Sequence, residues 1–386
     1  MSDIEKILNH IEKRKGDVIS LLQEMIRTPS VTGEEKAVAE LIEREMKYTG
    51  LHDVRVDSLG NVIGEMGGEK GPKLLYNGHM DTVPVGSRNL WEIDPYSGDI
   101  KDGRVWGRGA CDMKGALAAM ITAAEAINAT NTTLKGKLIV TTVVLEENAA
   151  LEGTRHTIEK DGIKPDYALV GEATGLNISL GSRGRMELEL TTRGRTAHAS
   201  TPSTGINAIL GMVKLIGRVE GMKLPRHEFL GGATQAITNI ACSPGKTNVI
   251  PDLCTITIDR RIVPGETPEN VQKEFEDLFR SMMSEMGTNA EVKVSKYAPP
   301  AYVPPDNVIV KATFETVASV TKKNPELIKY RFGTDASYLS TIAGIPTVGF
   351  GPGDETMAHS PNENVPINEV ITAAKVYAVL AANLLG

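Results

Sequence analysis

The segment Lys137-Leu-Ile-Val-Thr-Thr-Val-Val-Leu145 is apolar on both faces of an extended chain and no longer than a strand. Successive side chains of a strand turn to opposite sides. A segment of this kind is therefore covered on both, as in a parallel sheet lying between helices. Tyr167-Ala-Leu-Val170 reads the same way. None of the apolar runs approaches the ~20 residues that a membrane span requires.

Around these strands the apolar residues fall at helical spacing. Ile4, Ile7, Leu8, Ile11, Val18, Leu21, Leu22 and Met25 predict one helix over 4–27. Glu34–Tyr48 predicts a second, the small-residue stretch Lys114–Asn128 a third, and Ile367–Leu385 a closing one. Further strands are expected at Val54–Val56, Val62–Gly64, Lys73–Tyr76 and Pro346–Phe350. Such alternation indicates an α/β fold with a mostly parallel sheet flanked by helices.

From Arg185 the pattern changes. Arg185–Thr192 alternates with period two, Asn207–Val219 is helical, and Ala233–Ala241 and Cys254–Ile262 are strands. Pro268–Met286 is helical and Ala290–Val294 a last strand, giving the β-α-β-β-α-β order of a ferredoxin-like α+β unit. The Pro-rich stretch Ala298–Pro305 reads as a linker. The expected organisation is one α/β domain over 1–183 and 297–386, interrupted by a ferredoxin-like domain over 184–296.

Composition narrows the partners. The formal net charge is −7 without a basic stripe, which argues against nucleic acid, since phosphate neutralisation needs clustered Lys and Arg. Cys111, Cys242 and Cys254 are too few and too scattered for a disulfide framework or a Cys-based zinc site. The opening Met-Ser-Asp-Ile-Glu-Lys lacks the apolar core of a signal peptide, so a cytoplasmic protein without a membrane partner is the simplest reading.

Acidic and imidazole groups gather where the strands end. His79 and Asp81 follow the strand ending at Tyr76, Glu146 and Glu147 follow Leu145, and Glu172 follows Val170. Asp112 opens the helix after Gly107-Arg-Gly-Ala-Cys, and His359 follows Gly349-Phe-Gly-Pro-Gly. Ligands of open α/β sheets bind outside the carboxyl ends of the strands. So many carboxylates in one place repel each other unless cations neutralise them. Two His with several carboxylates suit Zn²⁺, with Mn²⁺ or Co²⁺ as alternatives. Taken singly, each has an ordinary explanation: a hydrogen-bonded pair, a solvated loop, a helix cap. A serine-hydrolase reading fails for want of a Gly-x-Ser-x-Gly elbow, and no Gly-x-Gly-x-x-Gly opens a helix as a dinucleotide site requires.

The ordered motifs Gly78-His-Met-Asp-Thr-Val-Pro84, Gly107-Arg-Gly-Ala-Cys-Asp-Met-Lys-Gly115, Glu146-Glu147, Gly171-Glu172-Ala173 and Ala358-His-Ser-Pro-Asn-Glu363 carry a resemblance along essentially the whole chain. The sequence resembles the zinc-dependent metallohydrolase family containing acetylornithine deacetylase, succinyl-diaminopimelate desuccinylase, aminoacylase and related carboxypeptidases. The resemblance implies a zinc-exopeptidase-like catalytic domain with an inserted dimerisation (lid) domain and two divalent metal ions per subunit. Asp112 would bridge the metals, with His79 and Glu172 completing one site and Glu147 and His359 the other. Asp81 would accept the distal N–H of His79, and Glu146 would be the general base. The activity implied is removal of an acyl group from an N-acyl amino acid. A dipeptidase or carboxypeptidase is the alternative, and a catalytically silent metal-binding homologue a more remote one. One departure is that Leu145 precedes the glutamate pair and Asn148-Ala-Ala-Leu-Glu-Gly153 follows it.

The same resemblance extends to the inserted domain. His198, in Arg195-Thr-Ala-His-Ala-Ser200, would reach the partner subunit's site in a homodimer and hold the substrate carbonyl oxygen; alone, it reads as a surface histidine. Arg260, in Asp259-Arg-Arg-Ile-Val-Pro-Gly-Glu266, looks like a substrate-carboxylate residue, against the plainer reading of a strand-edge ion pair. Arg260 and Arg261 point to opposite faces, and Arg260 is the one favoured for the cleft. Asn248 and the Gly333-Thr334 loop resemble further substrate contacts. The expected partner is a small carboxylate-bearing N-acyl amino acid or short peptide.

Overall fold

Ser2 starts the first helix of the computed structural model, which describes residues 2–148 and 151–386, with the backbone alone at 283–286. Ala149 and Ala150, in the segment that departs from the family pattern, lie outside the described residues. The Ser2 hydroxyl accepts the Glu5 N–H at 3.3 Å and the Glu5 carboxylate accepts the Ser2 N–H at 2.8 Å, so each satisfies a donor left open at the helix start. The helix expected over 4–27 is two helices, α1 (Asp3–Lys13) and α2 (Lys15–Arg27), broken at Arg14. The break falls in a polar stretch where no apolar side chain anchors the turn, beside Gly16, the one residue there of low helix propensity.

There follow α3 (Lys36–Tyr48), β1 (His52–Val56), β2 (Val62–Gly67) and β3 (Lys73–His79). A small hairpin of β4 (Ile100–Lys101) and β5 (Arg104–Trp106) precedes α4 (Gly115–Ala129), β6 (Lys137–Val143), α5 (Glu152–Glu159), β7 (Tyr167–Val170) and β8 (Ile178–Ser182). The chain divides into two compact units, Met1–Ser182 with Ala301–Gly386, and Arg183–Pro300.

The second unit holds β9 (Gly184–Arg193), α6 (Ala208–Glu220), the short ribbon β10 (Arg226–His227) with β11 (Gly231–Gly232), β12 (Thr234–Ser243), β13 (Leu253–Ile262), α7 (Pro268–Met286) and β14 (Asn289–Ala298). Its sheet runs β12-β13-β9-β14, antiparallel throughout, which is the ferredoxin-like arrangement. Alternate residues of β9 and β13 (Met186, Leu188, Leu190, Ile256, Ile258) meet Leu215 and Val219 of α6 and Phe275 and Phe279 of α7 in one core. Truncating the fully buried Phe275 to Ala costs about 3–5 kcal/mol.

The first unit resumes with β15 (Ala301–Tyr302), α8 (Val308–Thr321), β16 (Leu327–Tyr330), β17 (Thr347–Gly349), β18 (Asn364–Pro366) and α9 (Ile367–Leu385). Its main sheet is ordered β1-β2-β6-β3-β7-β17-β8-β15, with β16 beside β8. The centre, β6-β3-β7-β17, is parallel, while β1, β2, β8 and β15 join antiparallel, so the sheet is mixed around a parallel core. On one face Leu75, Ile139 and Val170 pack with Ile163, Leu339 and Ile345. On the other, the Tyr76 ring lies 5.3 Å from Tyr377 of α9, and its hydroxyl donates to the Tyr377 carbonyl at 2.6 Å. α9 is long and apolar enough to cross a membrane by composition, yet it packs against α4, α8 and α1 and buries Val370, Tyr377 and Leu380 as a core helix does.

Candidate metal centre

The parallel core brings four strand ends side by side, and the chemistry collects beyond them. His79 is the last residue of β3, Glu146 and Glu147 lie just past β6, and Glu172 lies just past β7. Leu145 takes φ +60°, which bends the chain out of the strand direction and turns Glu146 and Glu147 into the site. Asp112 lies at a kink in the segment Ala110–Lys114 leading into α4, with extended backbone (φ −119°, ψ 90°), and His359 stands at φ +61° in the loop between β17 and β18. Close packing keeps the lower wall small: a Cβ at Gly78 would fall 2.4 Å from the Met113 side chain.

Asp112 stands between two imidazoles. Its Oδ1 is 2.9 Å from His79 Nε2, and its Oδ2 is 3.2 Å from His359 Nε2. Glu172 lies 3.5 Å from the same His79 nitrogen, and Glu147 lies 2.8 Å from His359 Nε2. The contacts thus form two sets sharing one carboxylate. Ligand atoms of His79, Asp112 and Glu147 fall within 4.8 Å of one another, as do those of His79, Glu146 and Glu172. The second group shows that Glu146 shares this pocket.

Charge balance sets the protonation. Burial, reinforced by the Asp112 charge, raises the Glu172 carboxyl to about 7. Burial also holds Glu146 well above the usual carboxylate range, with Asp335, Glu172 and Glu147 adding to it and His79 opposing. Hydrogen bonds to Asp112 and Glu147 raise His359 to about 10. Burial works against ionised Asp112, but hydrogen bonds from His359 and His79 outweigh it and hold its carboxylate below the ordinary range. Buried carboxylates in excess over cations, interleaved with imidazole nitrogens, are a donor set that a pair of divalent cations fits.

Asp81 acts differently from the role the resemblance implies. The His79 Nδ1–H donates to the Asp81 main-chain carbonyl at 2.9 Å, while the nearer Asp81 carboxylate oxygen is 3.6 Å away. This still orients the ring and leaves Nε2 facing Asp112 and Glu172. The carboxylate is occupied elsewhere: it accepts the N–H of Glu146 (3.2 Å) and of Glu147 (3.1 Å) and the Thr32 hydroxyl (2.9 Å). It therefore shapes the turn that presents both glutamates.

Glu363 and Arg108 stand in the motifs without an expected role, and the structure gives them one. The fully buried Glu363 carboxylate accepts the N–H groups of Gly109, Cys111 and Asp112 at 3.1, 2.9 and 3.0 Å and pairs with Arg108 at 2.6 Å. Glu35 similarly accepts the Gly33 N–H at 2.8 Å and the Leu145 N–H at 3.3 Å. A second buried network, Asn77 with Asp335 (2.8 Å) and Thr141 (2.7 Å), lies at the end of β3. Burial raises Asp335 to about 6. Thr334 of the Gly333-Thr334 loop is buried, its hydroxyl accepting the Ala336 N–H at 3.2 Å, while Gly333 is exposed.

His198, Asn248 and Arg260 belong to the second unit. His198 is exposed, and the Ser200 N–H donates to its Nδ1 at 3.1 Å, so the proton of the neutral ring sits on Nε2. The Asn248 carbonyl accepts the Ala199 N–H at 2.9 Å, which places the two residues on adjoining loops. Arg260 corrects the expectation of a carboxylate-binding arginine. It is 1% exposed, and its guanidinium is taken up by Glu266 at 2.7 Å and Glu274 at 2.9 Å within this unit. Arg260 shares strand parity with Ile256, Ile258 and Ile262 and so faces the helix-covered side.

Comparison with known proteins agrees with this architecture. The model of peptidase family M20/M25/M40 matches residues 75–383. The chain is 32% identical over 392 residues to the uncharacterised protein YgeY of Escherichia coli K12, covering 97% of this chain and 96% of that one. It is 30% identical over 373 residues to a succinyl-diaminopimelate desuccinylase of Cereibacter sphaeroides, covering 94% and 97%. The YXEP protein of Bacillus subtilis, described as a dinuclear metal binding peptidase, superposes with a TM-score of 0.77 at 19% identity, covering 97% of this chain and 99% of that one. With a family match spanning both arms of the α/β unit, this chain belongs to the M20/M25/M40 peptidases and is a metallohydrolase acting on amide bonds.

Proposed function

We propose that the protein removes the acyl group of an N-acyl amino acid with the help of two divalent cations, Zn²⁺ first among the candidates and Co²⁺ or Mn²⁺ next. The observation that carries this reading is Asp112 set between His79 and His359, each imidazole with its own glutamate. His79, Asp112 and Glu172 would hold one cation, and His359, Asp112 and Glu147 the other. When bound, such a pair would lower the pKa of a water and polarise the scissile carbonyl. Glu146 takes the water's proton and delivers it to the departing nitrogen. Its buried position favours the neutral carboxyl formed midway. The likeness to succinyl-diaminopimelate desuccinylases over 94% of the chain supports an acyl rather than a peptidyl substrate.

The inserted unit supports a homodimer. α6 exposes Leu210 and Val213, and β12, with Ile240 exposed, is the sheet's edge strand. An open edge and exposed apolar side chains suit a second copy of the chain. In that dimer the Nε2–H of His198 would donate to the carbonyl oxygen of substrate bound by the partner, where negative charge develops.

The test is turnover of N-acetyl, N-succinyl and dipeptide substrates by metal-stripped protein, with and without added Zn²⁺, Mn²⁺ or Co²⁺. Metal-dependent release of amine from the N-acyl amino acids alone is the expected result. Cleavage of dipeptides alone would replace the deacylase reading with a peptidase one. Two metals bound without turnover of any substrate would set the enzymatic reading aside for a silent homologue.

A further inference from the structure

The antiparallel register of β12 and β13 sets Cys242 directly opposite Cys254, and their Sγ atoms lie 3.1 Å apart. Opposed residues of an antiparallel pair have Cα atoms about 4.5–5.5 Å apart, inside the span that a disulfide bridges. Both are free thiols. In the single chain Cys242 is exposed at the end of the edge strand, two residues past Ile240 and next to the face offered to a second copy, and Cys254 is buried against the core. Such a pair divides the labour of oxidation: one sulfur is reachable from solvent, and the other waits in contact with it.

We propose that Cys242 and Cys254 are a reversible oxidation site, closed by hydrogen peroxide into an intrachain disulfide that staples β12 to β13 at the base of the loop carrying Asn248. The Cys242 thiolate attacks the peroxide, forming an S–O bond as the O–O bond breaks, and hydroxide leaves as water after taking the thiol proton. The Cys254 sulfur, giving up its proton, then attacks the Cys242 sulfur. The S–S bond forms, the S–O bond breaks, and a second water departs. Two thiols are oxidised and one peroxide is reduced. A dithiol reverses the change by exchange.

Backbone bonds tie the loop this closes to its neighbour. The Asn248 carbonyl accepts the Ala199 N–H at 2.9 Å, and the Ala197 carbonyl accepts the Ile250 N–H at 2.8 Å, on either side of His198. Fixing both ends of the segment 243–253 restricts the backbone that makes these bonds.

The full-length chain, reduced and freed of reductant, is titrated with hydrogen peroxide; thiols are counted after denaturation and the cross-linked peptides mapped. The expected result is a fall from three thiols per chain to one, with Cys111 surviving and a Cys242–Cys254 peptide recovered. Dithiothreitol restores three, and amide exchange over 244–252 is slower in the oxidised form. Cys254→Ser should leave a sulfenic acid at Cys242 that dimedone traps, whereas Cys111→Ser should still lose two thiols. An unchanged thiol count, over-oxidation of Cys242 with Cys254 still free, or a disulfide between two chains would overturn the site. Disulfide formation with unaltered exchange over 244–252 would overturn its effect on the loop.

Discussion

The Glu363 carboxylate accepts the backbone N–H of Asp112 at 3.0 Å, tying the loop that carries His359 to the carboxylate that both imidazoles contact. Glu363 lies four residues past His359, and its other oxygen is bound to Arg108. Replacing it with Ala leaves a buried guanidinium unpaired, which costs about 3–5 kcal/mol. It also frees Asp112 to shift, and loss of such outer support typically lowers metal affinity about 10–100-fold. Thermal melting and calorimetric metal titration of Glu363→Ala and Glu363→Gln check both effects. A destabilised protein with unaltered metal affinity would reduce Glu363 to a brace of the fold.

Glu146 makes none of the imidazole contacts that organise the two sets. Its replacement by Ala is therefore expected to lower turnover by about 10²–10⁴ while metal content stays unchanged. Metal analysis beside kcat decides this. Retained turnover would remove Glu146 as the proton carrier, and loss of a metal would make it a ligand.

The gathering of His79, Glu147 and Glu172 was legible because each ends or follows a buried strand whose apolar run is plain in the sequence. His79, Glu147 and Glu172 need only the rule that ligands gather at strand ends. His359 and Asp112 lie in loops, and the ordered motifs carried them. Asp81 was half legible: its place was evident, but a main-chain carbonyl taking the imidazole N–H leaves no mark on residue identity. The buried placement of Arg260 was also legible. Alternation set Arg260 and Arg261 on opposite faces, and the parity of Cys254, Ile256 and Ile258 already assigned Arg260 to the apolar one. α8 and β8 are not legible in the sequence because their apolar residues keep neither period for long. The role of Glu363 follows only from loops distant in sequence meeting in space.

Arg260→Ala separates the two readings of that residue. Breaking a buried ion pair costs about 3–5 kcal/mol, so a large fall in melting temperature is expected with no selective rise in KM. Glu266→Ala should give the same signature, since Glu266 accepts from Arg260 at 2.7 and 2.9 Å. A raised KM at unchanged stability would return Arg260 to substrate binding.

The metal-free protein should lose stability as pH rises. Glu172 is raised from 4.5 to about 7, so the folded chain keeps a proton that the unfolded chain has lost between those values. That stabilisation is full below 4.5 and gone above about 7. His359, raised from 6.5 to about 10, acts in the same direction: its contribution is full below 6.5 and lost as pH climbs to about 10. Cations compete with these protons, so metal binding should release protons and strengthen as pH rises through 7. Melting curves from pH 5 to 9, with chelator and with metal, check the sign. A metal-free protein that gains stability across this range would contradict the assignment.

Mixing two inactive variants tests whether His198 serves the neighbouring subunit. A His198→Ala chain keeps its own Glu146, and a Glu146→Ala chain keeps its own His198. If His198 crosses the dimer, the heterodimer contains one site with both groups and one with neither. Each heterodimer then recovers about half the wild-type turnover, as expected of a two-fold interface. If His198 serves its own chain, both sites of the heterodimer lack one group and nothing is restored. Each parent dimer lacks one group at both sites in either case, so any rescue belongs to the heterodimer. Tandem affinity tags isolate that species. Full inactivity of verified heterodimers would leave His198 as the exposed surface residue that its surroundings in one chain describe.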